Sequence, residues 1–149
     1  MKTSHFFAAA CALFLLIAGP AQAQALSVTP GLWEFKSESG ADFVKGDQTM
    51  STPTRRETTT MCVAKEDAAL SPAMLATAGC ATSEPTVGQR RLSFVMTCSQ
   101  GGVELNGVLV FNLSEDKNSG DSFVSMSGEA GGGGLLATTK SQARRIGDC

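Results

Sequence analysis

The sequence predicts a mainly β domain: an antiparallel meander of about seven strands with one short helical insertion and two disulfides. Segments in which apolar and polar residues alternate recur along the chain, which is the pattern of half-buried strands. Glycine and small polar residues separate these segments, as hairpin turns require. Regularly spaced strands of this kind indicate a curved sheet, a barrel or a sandwich, and the spacing does not distinguish among the three.

The first predicted element is a signal peptide over residues 1–23. Lys2 gives the positive start, and Phe6–Ala18 is an apolar run of 13 residues. This run is shorter than the roughly 20 residues that a membrane helix needs. A small-residue cleavage pattern places the cut after Ala23, with a second candidate site after Ala25. The pattern predicts export to the periplasm.

Residues 24–149 are predicted to form one disulfide-stapled β domain, soluble in the periplasm. Its length of 126 residues is sufficient for a hydrophobic core. No apolar run of membrane length follows the signal peptide, so we expect no membrane span in the mature chain. Without Lys2 there are 11 basic and 14 acidic residues. This balance gives no reason to expect nucleic acid as a partner.

The disulfides are predicted from the hairpin between Cys80 and Cys98. Both cysteines lie nine residues from Gln89, so strands folded around that position place them opposite each other. Directly opposed residues have Cβ atoms about 4.5–5.5 Å apart, close to disulfide geometry. Cys62 is then left to pair with Cys149. Reduced or zinc-binding cysteines are the alternative, which the wide spacing and the exported location disfavour.

The first predicted strand is Leu32–Lys36, whose two aromatic residues share one face. Residues 37–53 are polar and contain glycine, which predicts a long exposed loop with a short strand at 42–44. The threonine-rich segment 54–62 is typical of a strand.

One helical insertion is predicted over Ala64–Ala76. Ser71 and Pro72 have the residue types of an N-cap and a first helical position. Two short helical pieces that break at Ser71 therefore fit the segment better than one long helix.

The remaining predicted elements are strands and turns. They comprise a strand carrying Leu92, Phe94, Met96 and Cys98 on one face, a turn at Gly101-Gly102, a strand from Val103 to Leu113, a turn at Ser114–Gly120, a strand at Phe123–Glu129, a loop at Gly131–Gly134 and a final strand at Leu135–Ile146.

Short motifs along the whole mature chain share the pattern of a known family. They are PGLWE at Pro30–Glu34, TTTMC at Thr58–Cys62 followed by EDAA, the central Cys80 and Cys98, and RRIGDC at Arg144–Cys149. Together they resemble the bacterial domain-of-unknown-function family numbered 3617. The resemblance implies an exported, periplasmic protein of Gram-negative bacteria, and it implies no activity.

The sequence offers few of the side chains on which common catalytic mechanisms depend. The single histidine, His5, lies in the signal peptide, and the chain has no tyrosine. This removes Ser-His-Asp and Cys-His catalysis and the usual histidine-based zinc sites. Gly131–Gly134 lacks the Lys-Ser/Thr that follows a phosphate-binding loop. We therefore expect no enzyme, no metal and no cofactor.

Four aromatic residues form a candidate face for a ligand or for the core: Trp33, Phe35, Phe94 and Phe111. Trp33 is the only tryptophan, and burial in the core is the expected role of so large a side chain. A cavity along this face would favour ligand binding. A solid core there would argue against it.

Four arginines are candidate anion contacts: Arg56, Arg91, Arg144 and Arg145. They come from Arg-Arg pairs, and neighbours on a strand point to opposite faces. One arginine of a pair within a strand should therefore face the core side. The simpler expectation is a set of strand-end arginines in surface ion pairs.

The function is therefore predicted only by class. The first hypothesis is a periplasmic, non-enzymatic binding or accessory module that holds an apolar ligand or a peptide on a curved sheet. The alternative is an envelope factor that acts by protein–protein contact, recognisable by an exposed apolar patch or an unpaired sheet edge. An enzyme of unfamiliar type is the third reading.

Overall fold

The computed structural model of the chain describes residues 25–66 and 68–149. The predicted signal peptide, residues 1–23, lies outside the described residues. The described part is mainly β, as the sequence predicts. Its elements in chain order are β1 (Leu26–Ser27), β2 (Gly31–Lys45), β3 (Gln48–Ser51), β4 (Arg55–Val63), β5 (Ala69–Leu70), α1 (Pro72–Leu75), β6 (Cys80–Thr82), β7 (Thr86–Val87), β8 (Arg91–Gln100), β9 (Val103–Leu113), β10 (Ser119–Ala130) and β11 (Gly133–Gly147).

Nine of these strands form one antiparallel sheet in the order β3-β2-β11-β10-β9-β8-β6. The edge strand β4 lies beside β3 against β2, and β7 lies beside β6 against β8. Strands β8 to β11 are consecutive hairpins, which is the predicted meander. The last strand then returns to pair with the first long strand, β2. Within residues 25–66 and 68–149 no ladder joins β4 to β6 or β7, so the sheet is open.

The hydrophobic core lies on one face of this sheet, which we call the inner face. Trp33, Phe94 and Phe111 on three different strands belong to it. Strands β1 and β5 pair as a separate two-stranded ribbon, and their Leu26 and Leu70 pack into the same core. Partly buried side chains of α1 pack against it as well. Burial of these apolar side chains is the main stabilising contribution to the fold.

Both predicted disulfides are formed. Cys80 is the direct cross-strand partner of Cys98, with the Cα atoms 4.2 Å apart. Cys62 bonds to Cys149, with a Cα–Cα distance of 5.9 Å. The hairpin turn lies at Gly88–Arg91, where the Gly88 N–H donates to the Arg91 carbonyl.

The loop predicted over residues 37–53 is wrong, although the short strand predicted within it at 42–44 is present as part of β2. Strand β2 continues without a break to Lys45 and then forms a hairpin with β3. The inner face of β2 here carries Ser37, Ser39 and Ala41, which the core does not cover. Because both faces are partly solvated, this part of the strand lacks the apolar–polar alternation from which strands are predicted.

The helical prediction is right for its second half only. Ser71 is the N-cap of α1 and Pro72 its first residue, as predicted. The segment before Ser71 forms no helix among the described residues, because Ala69 and Leu70 pair with β1 instead. Leu70 is completely buried there. Tertiary pairing therefore outweighs the helix propensity of alanine and leucine.

The described strands number eleven where about seven were predicted. Six strands have nine residues or more: the four of the meander (β8 to β11), together with β2 and β4. The other five are segments of two to four residues at edges and in the ribbon. No described helix is long and apolar enough to cross a membrane.

Candidate functional site

The motifs at the two ends of the domain meet at one end of the sheet. Trp33 at the start of β2 is the cross-strand partner of Arg145 near the end of β11. The Arg145 Nε–H donates to the Pro30 carbonyl oxygen at 2.6 Å, and its guanidinium also pairs with Asp148. The Cys62–Cys149 disulfide lies at the same end. The motif pair PGLWE and RRIGDC thus forms a structural junction that fixes the central strands.

The aromatic candidate face is solid over most of its extent. Trp33 and Phe111 are 0% exposed and Phe94 is 3% exposed, so all three belong to the core. The Trp33 indole N–H donates to the Thr29 carbonyl at 3.0 Å, which satisfies its one polar group. Phe35 is the exception, because it is only partly buried and borders a cleft. There is therefore no space for a ligand beside Trp33, Phe94 or Phe111, and of the four only Phe35 borders a cavity in the described part of the chain.

The cleft beside Phe35 has a volume of about 470 Å³ and lies between the inner face and α1. Ligand pockets range from roughly 300 to 1,000 Å³, so this cleft falls within the usual size. Its rim includes exposed Thr59 on β4, which leaves it accessible from that edge. The lining residues are Phe35, Ser37, Thr59, Thr60, Met61, Met74, Leu75, Thr77, Leu109, Ser122, Val124, Thr139 and Ser141.

Hydroxyl groups form a row across the floor of the cleft. Ser141 on β11 is the cross-strand partner of Ser37 on β2 and of Ser122 on β10. The Ser37 and Ser141 hydroxyl oxygens are 2.7 Å apart and share a hydrogen bond. The hydroxyls of Ser122 and Thr139 take part in none of the side-chain hydrogen bonds found among the described residues. They are available to donate to or accept from a ligand.

The wall opposite the hydroxyl row is mainly apolar. Met74 and Leu75 of α1 line it together with Thr77. Met61 of β4 adds an apolar side chain on the inner face, toward the sheet edge. Methionine side chains are flexible and adapt to irregular shapes. The lining contains no aspartate, glutamate, lysine or arginine. Such a cleft suits a neutral molecule that has both an apolar surface and hydrogen-bonding groups.

The four candidate arginines are placed apart from one another. On the outer face, Arg56 pairs with Glu38 at 2.6 Å and Arg144 with Glu34 at 3.4 Å. The hydrogen bond to Glu38 and the charge of that carboxylate raise the pKa of Arg56.

Arg145 lies on the core side, opposite in direction to Arg144, and its side chain is 26% exposed. Arg91 is exposed at the start of β8. The structure therefore brings no two of these four arginines into a shared anion site among the described residues.

Two further clefts on the outer face are charged. They measure about 540 and 680 Å³ and share Lys36, Asp121 and Gln142. Several of their charged groups pair within the protein: Lys36 and Arg144 both contact Glu34, and Arg56 contacts Glu38. Exposed ion pairs of this kind contribute little to stability.

The comparison with protein families gives one match. A family model described as "Protein of unknown function (DUF3617)" matches residues 28–149. Searches of curated proteins and of solved structures found no significant match. The matched range runs from just before the PGLWE motif through RRIGDC, and so includes both halves of the structural junction. The chain therefore belongs to the DUF3617 family, whose function is unknown.

Proposed function

We propose that this chain is an exported, non-enzymatic binding module that holds a neutral, partly apolar small molecule in the inner-face cleft. The observation that carries the proposal is the composition of the cleft, in which a row of hydroxyls faces an apolar wall without any charged side chain. A neutral ligand would not have to lose a strong hydration shell or find a counter-charge there.

Export to the periplasm is part of the proposal. Two disulfides in a domain of this size are typical of an oxidising compartment. The signal-peptide pattern at residues 1–23 supports the same location.

A role in binding is preferred to one in catalysis because of the side chains that the cleft offers. Serine and threonine hydroxyls are weak nucleophiles unless a base activates them. The lining contains no histidine, lysine or carboxylate that would act as this base. Asp116, whose pKa is lowered, belongs to a surface turn and not to the cleft.

The first test is native mass spectrometry of the mature protein purified from periplasm without reductant. A mass that is four hydrogens below the reduced sequence fits two disulfides. Additional mass that is lost on denaturation identifies a co-purified ligand.

The second test uses the neutral fluorescent probe N-phenyl-1-naphthylamine. We expect saturable binding that Ser122→Leu weakens at least tenfold by filling the cleft. Thr139→Val replaces a cleft hydroxyl by a methyl group, and Thr138→Val makes the same change on the opposite face of β11. We expect the first to alter probe affinity and the second to leave it unchanged. The proposal is refuted if the probe does not bind, or if Ser122→Leu has no effect on binding.

A further inference from the structure

Strand β4 leaves one edge of the sheet unpaired. Over its nine residues it pairs with β2 on one side. On the other side it has no ladder within the described residues. Its exposed N–H and C=O groups are a template on which another strand can add by backbone hydrogen bonds.

The opposite edge of the sheet is protected against such pairing. There β6 and β7 have only three and two residues, and residues 83–85, which include Pro85, interrupt them. A disulfide joins Cys80 to Cys98 across the outermost pair of strands. The Ser83 N–H donates to the Val95 carbonyl, and the Ser83 hydroxyl oxygen accepts from the Val95 N–H, so both groups of Ser83 bond to the sheet and not outward. By contrast, β4 contains neither proline nor glycine. It is the longest regular edge in the described part of the chain, and its threonines favour β structure.

The side chains on the inner face of β4 form a definite sequence along this edge. Arg55 and Glu57 come first, followed by Thr59 and Met61. Arg55 and Glu57 contact each other at only 3.9 Å, with 78% and 57% of their side chains exposed. Both charges therefore remain accessible to an opposing strand. On the outer face Arg56 is already paired with Glu38 at 2.6 Å.

A second copy of the chain is a poor match for this edge. Two β4 strands with continuous faces must be related by a twofold axis at one residue. An axis at Arg56 sets Arg55 opposite Glu57 twice, but it pairs only residues 55–57 of each strand and places the two Arg56 side chains opposite each other. An axis at Thr59, which pairs all nine residues, places Arg55 opposite Val63 and Glu57 opposite Met61. The arrangement with the longest ladder therefore gives no charge pair, and the one with charge pairs has the shortest ladder and a like-charge contact.

We propose that β4 is a docking edge for an extended segment of a different protein. In an antiparallel arrangement this segment carries a carboxylate opposite Arg55, a cation opposite Glu57 and an apolar side chain opposite Met61. Opposite charges and apolar side chains that face each other across a ladder stabilise pairing. The inference does not rest on the cleft having a small-molecule ligand.

The test compares two capped peptides that differ only in the order of two residues. The matching probe is Thr-Thr-Leu-Thr-Val-Thr-Lys-Thr-Glu, and the control exchanges its lysine and glutamate. Composition and net charge are the same in both. We expect the matching peptide to shift backbone amide signals of β4 in heteronuclear NMR spectra. The control should bind at least about threefold more weakly, since two favourable pairs become repulsive.

Two proline variants test the direction of the backbone groups. Successive residues of a strand point their N–H groups to opposite sides. Of Thr58→Pro and Thr59→Pro, one removes an N–H aimed at β2 and lowers the Tm markedly. The other removes an N–H aimed outward, and we expect a smaller loss of Tm together with loss of peptide binding. If neither variant folds, the two peptides still decide the matter on the unmodified protein.

The proposal is overturned by any of three results. The first is a set of peptide-induced shifts that leaves the β4 amides unmoved, the second is equal binding of both peptides, and the third is a dimer that the outward-facing proline variant dissociates. The cleft variants Ser122→Leu and Thr139→Val should leave peptide binding unchanged. Failure of the small-molecule proposal and failure of the docking edge are therefore distinguishable.

Discussion

Gly31 is the position where a single methyl group should damage the fold most clearly. Its φ is +135°, a backbone conformation that favours glycine. A Cβ atom there would overlap the Gly147 carbonyl oxygen and lie 2.6 Å from the Arg145 Nε atom. The change Gly31→Ala therefore strains the backbone and forces the Arg145 side chain to move.

The expected cost has two parts. Holding alanine in a sparsely populated backbone region costs about 1–3 kcal/mol. Displacing Arg145 weakens its charged hydrogen bond to the Pro30 carbonyl, and such bonds contribute about 1.5–3 kcal/mol. The sum is about 3–6 kcal/mol, with allowance for partial relaxation. For a domain of this length, that corresponds to a loss of at least about 10 °C in Tm.

The assay is thermal and urea unfolding under non-reducing conditions, so that both disulfides stay intact. Gly40→Ala is the matched control, because it lies on the same strand and a Cβ there meets no atom within 4 Å. We expect this control to be neutral or stabilising by up to about 1 kcal/mol. If Gly31→Ala unfolds within 2 °C (about the error of such scans) of Gly40→Ala, the account of the junction is wrong.

Three further predictions follow from burial and hydrogen bonding. Trp33→Ala should lower the free energy of unfolding by about 3–5 kcal/mol, and the buried indole of the unmodified protein should resist iodide quenching until the chain unfolds. The Cys62–Cys149 bridge, whose two residues are exposed, should be reduced before Cys80–Cys98, in which the second cysteine is 7% exposed; mass mapping after brief reductant treatment checks this order. The Asp116 carboxylate accepts hydrogen bonds from the Ser114 hydroxyl and from a backbone N–H, which lowers its pKa below the ordinary 3.8. Its stabilising effect should therefore be present above pH 3.8 and disappear as the pH falls through the lowered value. In Ser114→Ala, NMR titration should find the pKa of Asp116 closer to its ordinary value, since the largest cause of its lowering is removed.

The parts of the fold that follow from sequence are those in which one strand face meets the core. In β8, Leu92 and Phe94 are buried and alternate with more exposed residues, which is the pattern that predicts the strand. In the second half of β2, small residues such as Ser39 and Ala41 replace apolar ones on the inner face, and the pattern disappears. Sequence periodicity reports burial, so it fails on strands that the core does not cover.

The sequence does not reveal the candidate cleft, for a related reason. Hydroxyl residues carry no hydrophobic signal, and Ser37 lies far from Ser122 and Ser141 in sequence. The symmetry that identifies the Cys80–Cys98 pair also applies to the hairpin that turns at Gly131 and Gly132. Ser122 and Ser141 are equally distant from that turn and are opposed in the structure. Turn symmetry therefore predicts this half of the hydroxyl row, although serine and threonine by themselves do not indicate a binding site.

The other half depends on the long-range pairing of β2 with β11, which no turn specifies. The junction at the end of the sheet aligns these strands, because Trp33 lies opposite Arg145 and the bonds of Arg145 hold the start of β2 in place. Counting along the ladder from that pair brings Ser37 opposite Ser141. The register of the cleft is thus set by a junction four residues away. A change such as Gly31→Ala should therefore disturb the hydrogen bond between the two serines before it disturbs the β10–β11 hairpin, and residue-resolved hydrogen exchange would show the β2–β11 ladder opening first.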